Sequence, residues 1–306
     1  MKNLNQNYNF MKRYKLSLYV SLFLIFISLF SLFVKGLNYG IDFSGGTIIE
    51  ISFNSDAPIN GIREYLKNNN YKKFSVQFFG SNKNIIIKIS NLNYLAETTL
   101  SNAIVDDLRT KYSFNLSRVE NVGAQVGDEL RDQGILATCI ALLLIMIYIA
   151  LRFEYRFAIA AVIALFHDVI IIIGTFSITQ VEFDLTVFAA ILAIIGYSLN
   201  DTIVVFDRIR ENFIDSNKDN LSTEIVLNQA INDTLSRTII TSLTTLLVVI
   251  ALLIFGGETL FGFSFALTLG IFFGTYSSIY IASAILLMMN ISIEDLIIGG
   301  KEKDKP

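Results

Sequence analysis

Tryptophan is absent from the 306 residues, and cysteine, histidine and proline are nearly so, at one, one and two copies. The lone cysteine, Cys139, excludes an intrachain disulfide, and one histidine with one cysteine cannot furnish a zinc or haem site of the usual type. Charge is scarce as well: Asp, Glu, Lys and Arg make up 17% of the chain, against about 25% in an ordinary globular domain. With 53% hydrophobic residues and a mean hydropathy of +0.55, disorder is excluded and lipid becomes the expected solvent for much of the chain. The net charge of −3 leaves no basic footprint for nucleic acid. A G-x-x-x-x-G-K-[ST] loop is missing, since Gly80-Ser81-Asn82-Lys83 lacks the first glycine and the spacing needed to cradle phosphates. That counts against nucleotide hydrolysis as an energy source. No G-x-S-x-G elbow is present either, and the histidine has no nucleophile beside it in sequence. No cofactor is expected.

What the chain does have is long apolar runs. A spanning helix needs about 20 apolar residues, and six segments qualify: Leu16 to Val34, about Gln133 to Leu151, Phe157 to Val181, Leu185 to Phe206, about Leu235 to Gly256, and one within the uncharged stretch from Thr259 to Ile293. The first follows Lys2, Lys12, Arg13 and Lys15 and so imitates a signal peptide. Its 19 uncharged residues exceed the roughly 7–15 of a signal h-region, and Val34-Lys35-Gly36 is no A-x-A cleavage site. A retained anchor is expected. Lys and Arg alternate strictly between connections: the N-terminus, Arg152 to Arg156, Asp207 to Arg237 and the tail carry them, whereas Glu182 to Asp184 and the surroundings of Glu258 do not. The alternation predicts cytoplasmic termini, at residues 1–15 and 294–306. It also predicts a first span at 16–34, an outer domain at 35–132 and five further spans within 133–293.

The outer segment holds 11 basic and 11 acidic residues, the balance of a soluble domain. Thr47 to Phe53 is β-rich with partial alternation, and Pro58 opens a helix over Ile59 to Asn68. Phe74 to Phe79 and Asn84 to Ile89 flank a hairpin signal, Leu95 to Tyr112 has near-helical apolar spacing, and Ser117 to Val122 supplies a last strand. The order βαββαβ is that of a ferredoxin-like α+β domain.

Charge at membrane depth is the most informative feature. An Asp at a helix centre costs about 2.5 to 3.5 kcal/mol on insertion scales, so a retained one normally faces a partner or a water path. Asp168 is the twelfth residue of its span, and Asp201 lies about six residues, roughly 9 Å, from the inner end of its own. Arg237 starts the fifth span on the same side, which makes an Asp201–Arg237 pair reasonable. Ser198, Asn200 and Thr202 around Asp201 suggest a wet polar pocket. His167 is not expected to project with Asp168, since adjacent residues differ by about 100° around a helix; a structural role and a proton relay both fit this pair. Structural readings remain open for the other charges, as interhelical locks or, for Arg237, a headgroup contact. Ala266, Gly270, Gly274, Ser278 and Ala282 form an i+4 stripe for close helix packing. Leu221 to Leu235 reads equally as an interfacial amphipathic helix or as a segment packed on the bundle.

Several strings then meet in order: Gly40-Ile41-Asp42-Phe43-Ser44-Gly45-Gly46 after the first span, Phe153-Glu154-Tyr155-Arg156-Phe157-Ala158 after the second, and GYSLNDTIVVFDRIREN from Gly196 to Asn212. Leu235-Ser236-Arg237-Thr238 opens the fifth span, and Gly274-Thr275-Tyr276-Ser277-Ser278 lies in the sixth. Together they closely resemble the SecD/SecF family of bacterial protein-export membrane subunits, on its SecF side. The motif Gly40, Asp42, Gly45, Gly46 and the short outer domain favour that side over SecD. The resemblance implies a six-helix half of an RND-like assembly in the inner membrane that pairs with SecD. It also implies that the pair uses the proton gradient to help preproteins finish crossing at the SecY channel complex. Asp201 and Arg237 match positions tied to proton coupling in the family; His167 and Asp168 match polar positions. Two other classes stay open: half of an RND-like small-molecule or lipid exporter, and a non-motor scaffold of the Sec complex.

Overall fold

The computed structural model describes residues 8–69, 71, 74–90, 97–216 and 222–291. The expected start of the second outer helix at Leu95, the last residues of the sixth span and the C-terminal tail lie outside them. A 3₁₀ turn, Met11–Arg13, leads into α1 (Tyr14–Lys35), followed by the single turn α2 (Ile41–Ser44). Then come β1 (Gly46–Ser52), α3 (Ile59–Asn68), β2 (Phe74–Phe79), β3 (Ser81–Ser90), α4 (Glu97–Lys111) and β4 (Asn115–Val122). The remainder is helical: α5 (Ala124–Arg152), α6 (Tyr155–Thr179), α7 (Leu185–Ser216), α8 (Thr223–Phe255), α9 (Gly257–Tyr276), a π turn (Ser277–Ile281) and α10 (Ala282–Met288). Among the described residues six helices are long and apolar enough to cross a membrane, the last running through the π turn from Gly257 to Met288.

The small domain is a four-stranded antiparallel sheet in the order β2-β3-β1-β4, the ferredoxin-like arrangement. Alternation dictates its core. Ile49 and Ile51 of β1 register with Ile87 and Ile85 of β3 on one face, where Ile62 and Leu66 of α3 and Ile104 and Leu108 of α4 cover them. Gly80 turns the β2–β3 hairpin at φ +70°, which a side chain would strain.

Two helices extend beyond their apolar runs. α5 begins at Ala124, nine residues before Gln133, so its polar first turns belong to the spanning helix. α8 begins at Thr223, so Leu221 to Leu235 is not a separate interfacial element. Its buried Val226, Leu227, Ala230 and Ile231 pack with Met11, Phe153, Phe157, Phe206 and Phe213, which realises the packed alternative. Arg208 pins the two long helices together through Asp233 at 2.8 Å. α6 starts where it does because the Glu154 carboxylate accepts the Arg156 N–H at 3.1 Å.

The glycine motif is the joint between the two parts. Gly40 N–H donates to Phe183 O at 2.9 Å, Phe183 N–H to Asn38 O at 2.8 Å, and Leu185 N–H to Asp42 Oδ2 at 2.9 Å. Asp42 therefore places a carboxylate on the first turn of α7, where the helix dipole favours it. Lys88 of β3 meets Glu182 at 3.1 Å in the loop before α7.

Candidate functional site

α6, α7 and α9 form the middle of the bundle, and the small residues of α9 set how closely it meets α7. A Cβ at Gly270 would sit 2.3 Å from the Ile194 side chain, and one at Gly274 would sit 3.0 Å from Ser198 Cβ. Ser278, one turn on, hydrogen-bonds to Ser198 O at 3.2 Å and lies 2.8 Å from Thr202 Oγ1. The stripe is a packing surface for α7.

Two acid clusters sit on either side of this contact. Asp168 is 1% exposed, and its Oδ2 accepts from Ser198 Oγ at 2.7 Å and from Ser277 Oγ of the π turn at 2.8 Å. Its Oδ1 lies 2.9 Å from His167 Nδ1, and His167 Nε2 lies 3.1 Å from Ser21 Oγ of α1. This corrects the expectation that His167 and Asp168 face apart. A 100° step separates Cβ directions only, and an imidazole and a carboxylate are long enough to turn back and meet. Ser21 Oγ also lies 3.3 Å from Tyr276 Oη, and Tyr276 donates to Ser17 O at 2.9 Å.

Asp201 is 4% exposed and is held differently. Its single described hydrogen bond comes from Ser242 Oγ of α8 at 3.4 Å, and Ser242 lies 2.7 Å from Thr275 Oγ1 of α9. Arg237 is exposed on α8, outside the 4.0 Å of an ion pair with Asp201. Of the polar neighbours named from sequence, Ser198 and Thr202 are buried, Ser198 serving Asp168, while Asn200 is exposed. Among the described residues no group of three His, Cys, Asp or Glu could hold a metal ion.

Ser21, Ser242, Thr275, Tyr276 and Ser277 complete these clusters and were not singled out by sequence. The signal for Ser21 was a polar stripe in an apolar helix: Ser17, Ser21, Ser28 and Ser31 are the buried residues of α1. Thr275, Tyr276 and Ser277 were visible only as part of a string.

Residues 102–292 match the family model for the C-terminal region of the protein export membrane proteins SecD/SecF, and residues 30–57 match the SecD/SecF GG motif. Protein translocase subunit SecF of Pseudomonas aeruginosa is 46% identical over 293 residues, 94% of each chain. The SecF of Vibrio alginolyticus is 46% identical over 297 residues, 96% of this chain and 94% of that one. The crystal structure of SecDF, a translocon-associated membrane protein from Thermus thermophilus, superposes with a TM-score of 0.78 at 35% identity. That match covers 94% of this chain and 39% of the SecDF chain, so the present chain spans about two fifths of it. With a family model matched over more than half of its length and relatives similar from end to end, the chain belongs to the SecD/SecF family of protein-export membrane proteins, on its SecF side.

Proposed function

We propose that this chain is an accessory subunit of the Sec preprotein translocase in the inner membrane, and that with SecD it uses the proton gradient to promote late steps of export through the SecY channel complex. The SecF names of its relatives support the Sec assignment, and the remaining three fifths of the matched SecDF chains support SecD as the partner. The proton assignment is carried by Asp201, a carboxyl enclosed at membrane depth with, among the described residues, one long hydrogen bond and no cation within ion-pair distance. A charge so poorly matched favours a group that takes up and releases a proton. Arg237 cannot deprotonate, and in this reading it is the nearby cation that keeps the ionised form accessible.

The test is preprotein export into vesicles depleted of the chain and then restored with it, with and without an uncoupler. Restored vesicles should export faster only while the gradient stands; equal stimulation with the uncoupler present would overturn the motor reading and favour a scaffold. The proposal also places both termini in the cytoplasm and the ferredoxin-like domain outside. A reporter active only outside the cytoplasm should work when inserted at Asn82 and fail between Ser216 and Ser222, and the opposite pattern would reverse the orientation.

A further inference from the structure

The Asp168 cluster can hold its hydrogens in two arrangements, set by the Ser21 hydroxyl. A hydroxyl carries one hydrogen. Tyr276 gives its hydrogen to Ser17 O, so the Ser21 hydroxyl can point either to Tyr276 Oη at 3.3 Å or to His167 Nε2 at 3.1 Å. When it points to Tyr276, Ser21 Oγ accepts from the ring and Nε2 carries a hydrogen; when it points to the ring, Nε2 is bare. On the other side of the ring, Nδ1 and Asp168 Oδ1 are 2.9 Å apart, which requires a hydrogen between them. Ser198 and Ser277 both donate to the second carboxylate oxygen and place no hydrogen on the first. With Ser21 turned to Tyr276 the pair holds one proton more than a neutral imidazole beside a carboxylate, whether as imidazolium and carboxylate or as imidazole and carboxylic acid.

We infer that His167 and Asp168 form a second proton-binding site, separate from Asp201, whose occupancy is tied to the direction of the Ser21–Tyr276 hydroxyl chain. Loss of the proton to water leaves Nδ1–H donating to Asp168 and a bare Nε2, and the Ser21 hydroxyl then turns from Tyr276 to Nε2. One proton departs and one hydroxyl reorients, with no other bond changed. The elements packed on the pair present few alternatives: α1 contributes Ser21, α7 Ser198, α9 Tyr276 and the π turn Ser277, and neither group contacts any other charged side chain among the described residues. A π turn at the contact is the sort of local widening that accompanies functional sites. The same segment reaches both acids, with Thr275 bonded in the Asp201 cluster and Ser277 in this one.

The single histidine makes the test direct, because ¹⁵N-histidine labelling of the full chain in lipid discs reports His167 alone. Lowering the pH should replace the tautomer with bare Nε2 by a form with a hydrogen on Nε2, in a one-proton step. Tyr276→Phe should give the tautomer with bare Nε2 at a pH where the wild type still carries Nε2–H, since Ser21 is then free to donate to the ring. Asp201→Asn should leave the spectrum unchanged, which separates this site from the export reading. A wild-type Nε2 without hydrogen at every pH, or an Nε2–H that never exchanges with pH, would overturn the inference. So would a Tyr276→Phe spectrum identical to wild type in a chain of unchanged thermal stability.

Discussion

Asp201→Asn is expected to abolish gradient-stimulated export while leaving the chain inserted and bound to SecD. Asn preserves the shape of the carboxyl and can still accept from Ser242, the one described hydrogen bond at this site, so the packing of α7 on α8 has no reason to change. In the proposed role, what it removes is a charge that can appear and vanish. A gradient of about 150 mV is worth about 3.5 kcal/mol per proton, enough to shift a two-state equilibrium by roughly 300-fold, and a residue that cannot titrate forfeits that bias. Export in vesicles should therefore fall to its uncoupled rate. Arg237→Lys should impair stimulation less than Arg237→Met, because it retains a cation on α8 while losing only the planar fork. Full stimulation with Asp201→Asn would reject the proton-switch role. A variant that is missing from the membrane would instead assign Asp201 to structure, and the same export assay on Arg237→Met would then decide whether the cation matters.

Gly174→Leu should separate α1 from α6. A Cβ at Gly174 would lie 2.1 Å from Ser28 Cβ and 2.6 Å from its Cα, so the obstacle is backbone and no rotamer change relieves it. Overpacking ordinarily costs about 1–3 kcal/mol, and a clash against main chain belongs at the upper end. The contacts at stake are those that flank it on α1 and α6, including Ser31 Oγ to Ser177 Oγ at 2.9 Å and His167 to Ser21. Cysteines at 31 and 177, in a Cys139→Ser background, should form a disulfide readily in the parent and at least tenfold less in the Gly174→Leu chain. Gly196→Leu, where a Cβ meets nothing within 4 Å, serves as the control and should cross-link like the parent. Undiminished cross-linking in Gly174→Leu would mean that the close approach is not needed.

The spans were legible because apolar runs of this length have one physical outcome, and the outer domain because its periods alternate in a recognised order. The extensions of α5 and α8 were not. Gln125 to Asp132 reads with the outer segment, and Gln229 to Asp233 with a helix either interfacial or packed; partners distant in sequence, Phe43 beside Gly127 and Met11 beside the start of α8, join both to the spanning helices. Asp168 and Asp201 announced themselves as charges in apolar helices. Their partners did not, because an isolated Ser or Thr in such a helix can satisfy itself on its own backbone, as Thr268 does on Ser264 O. Whether it does so or reaches another helix is decided by tertiary position, which no local pattern records.

The serine face of α1 carries a consequence for biosynthesis. Ser31 finds Ser177 across 146 residues of sequence, and Ser21 finds His167 across the same interval. At about 5–20 residues per second, translation of that interval takes roughly 7–30 s. Throughout it the first helix is in the membrane before its partner exists, with hydroxyls that have only their own backbone to bond. A nascent chain halted before α6 emerges would hold α1 in that unpartnered state, so the pairing of α1 with α6 cannot begin until the ribosome has delivered α6.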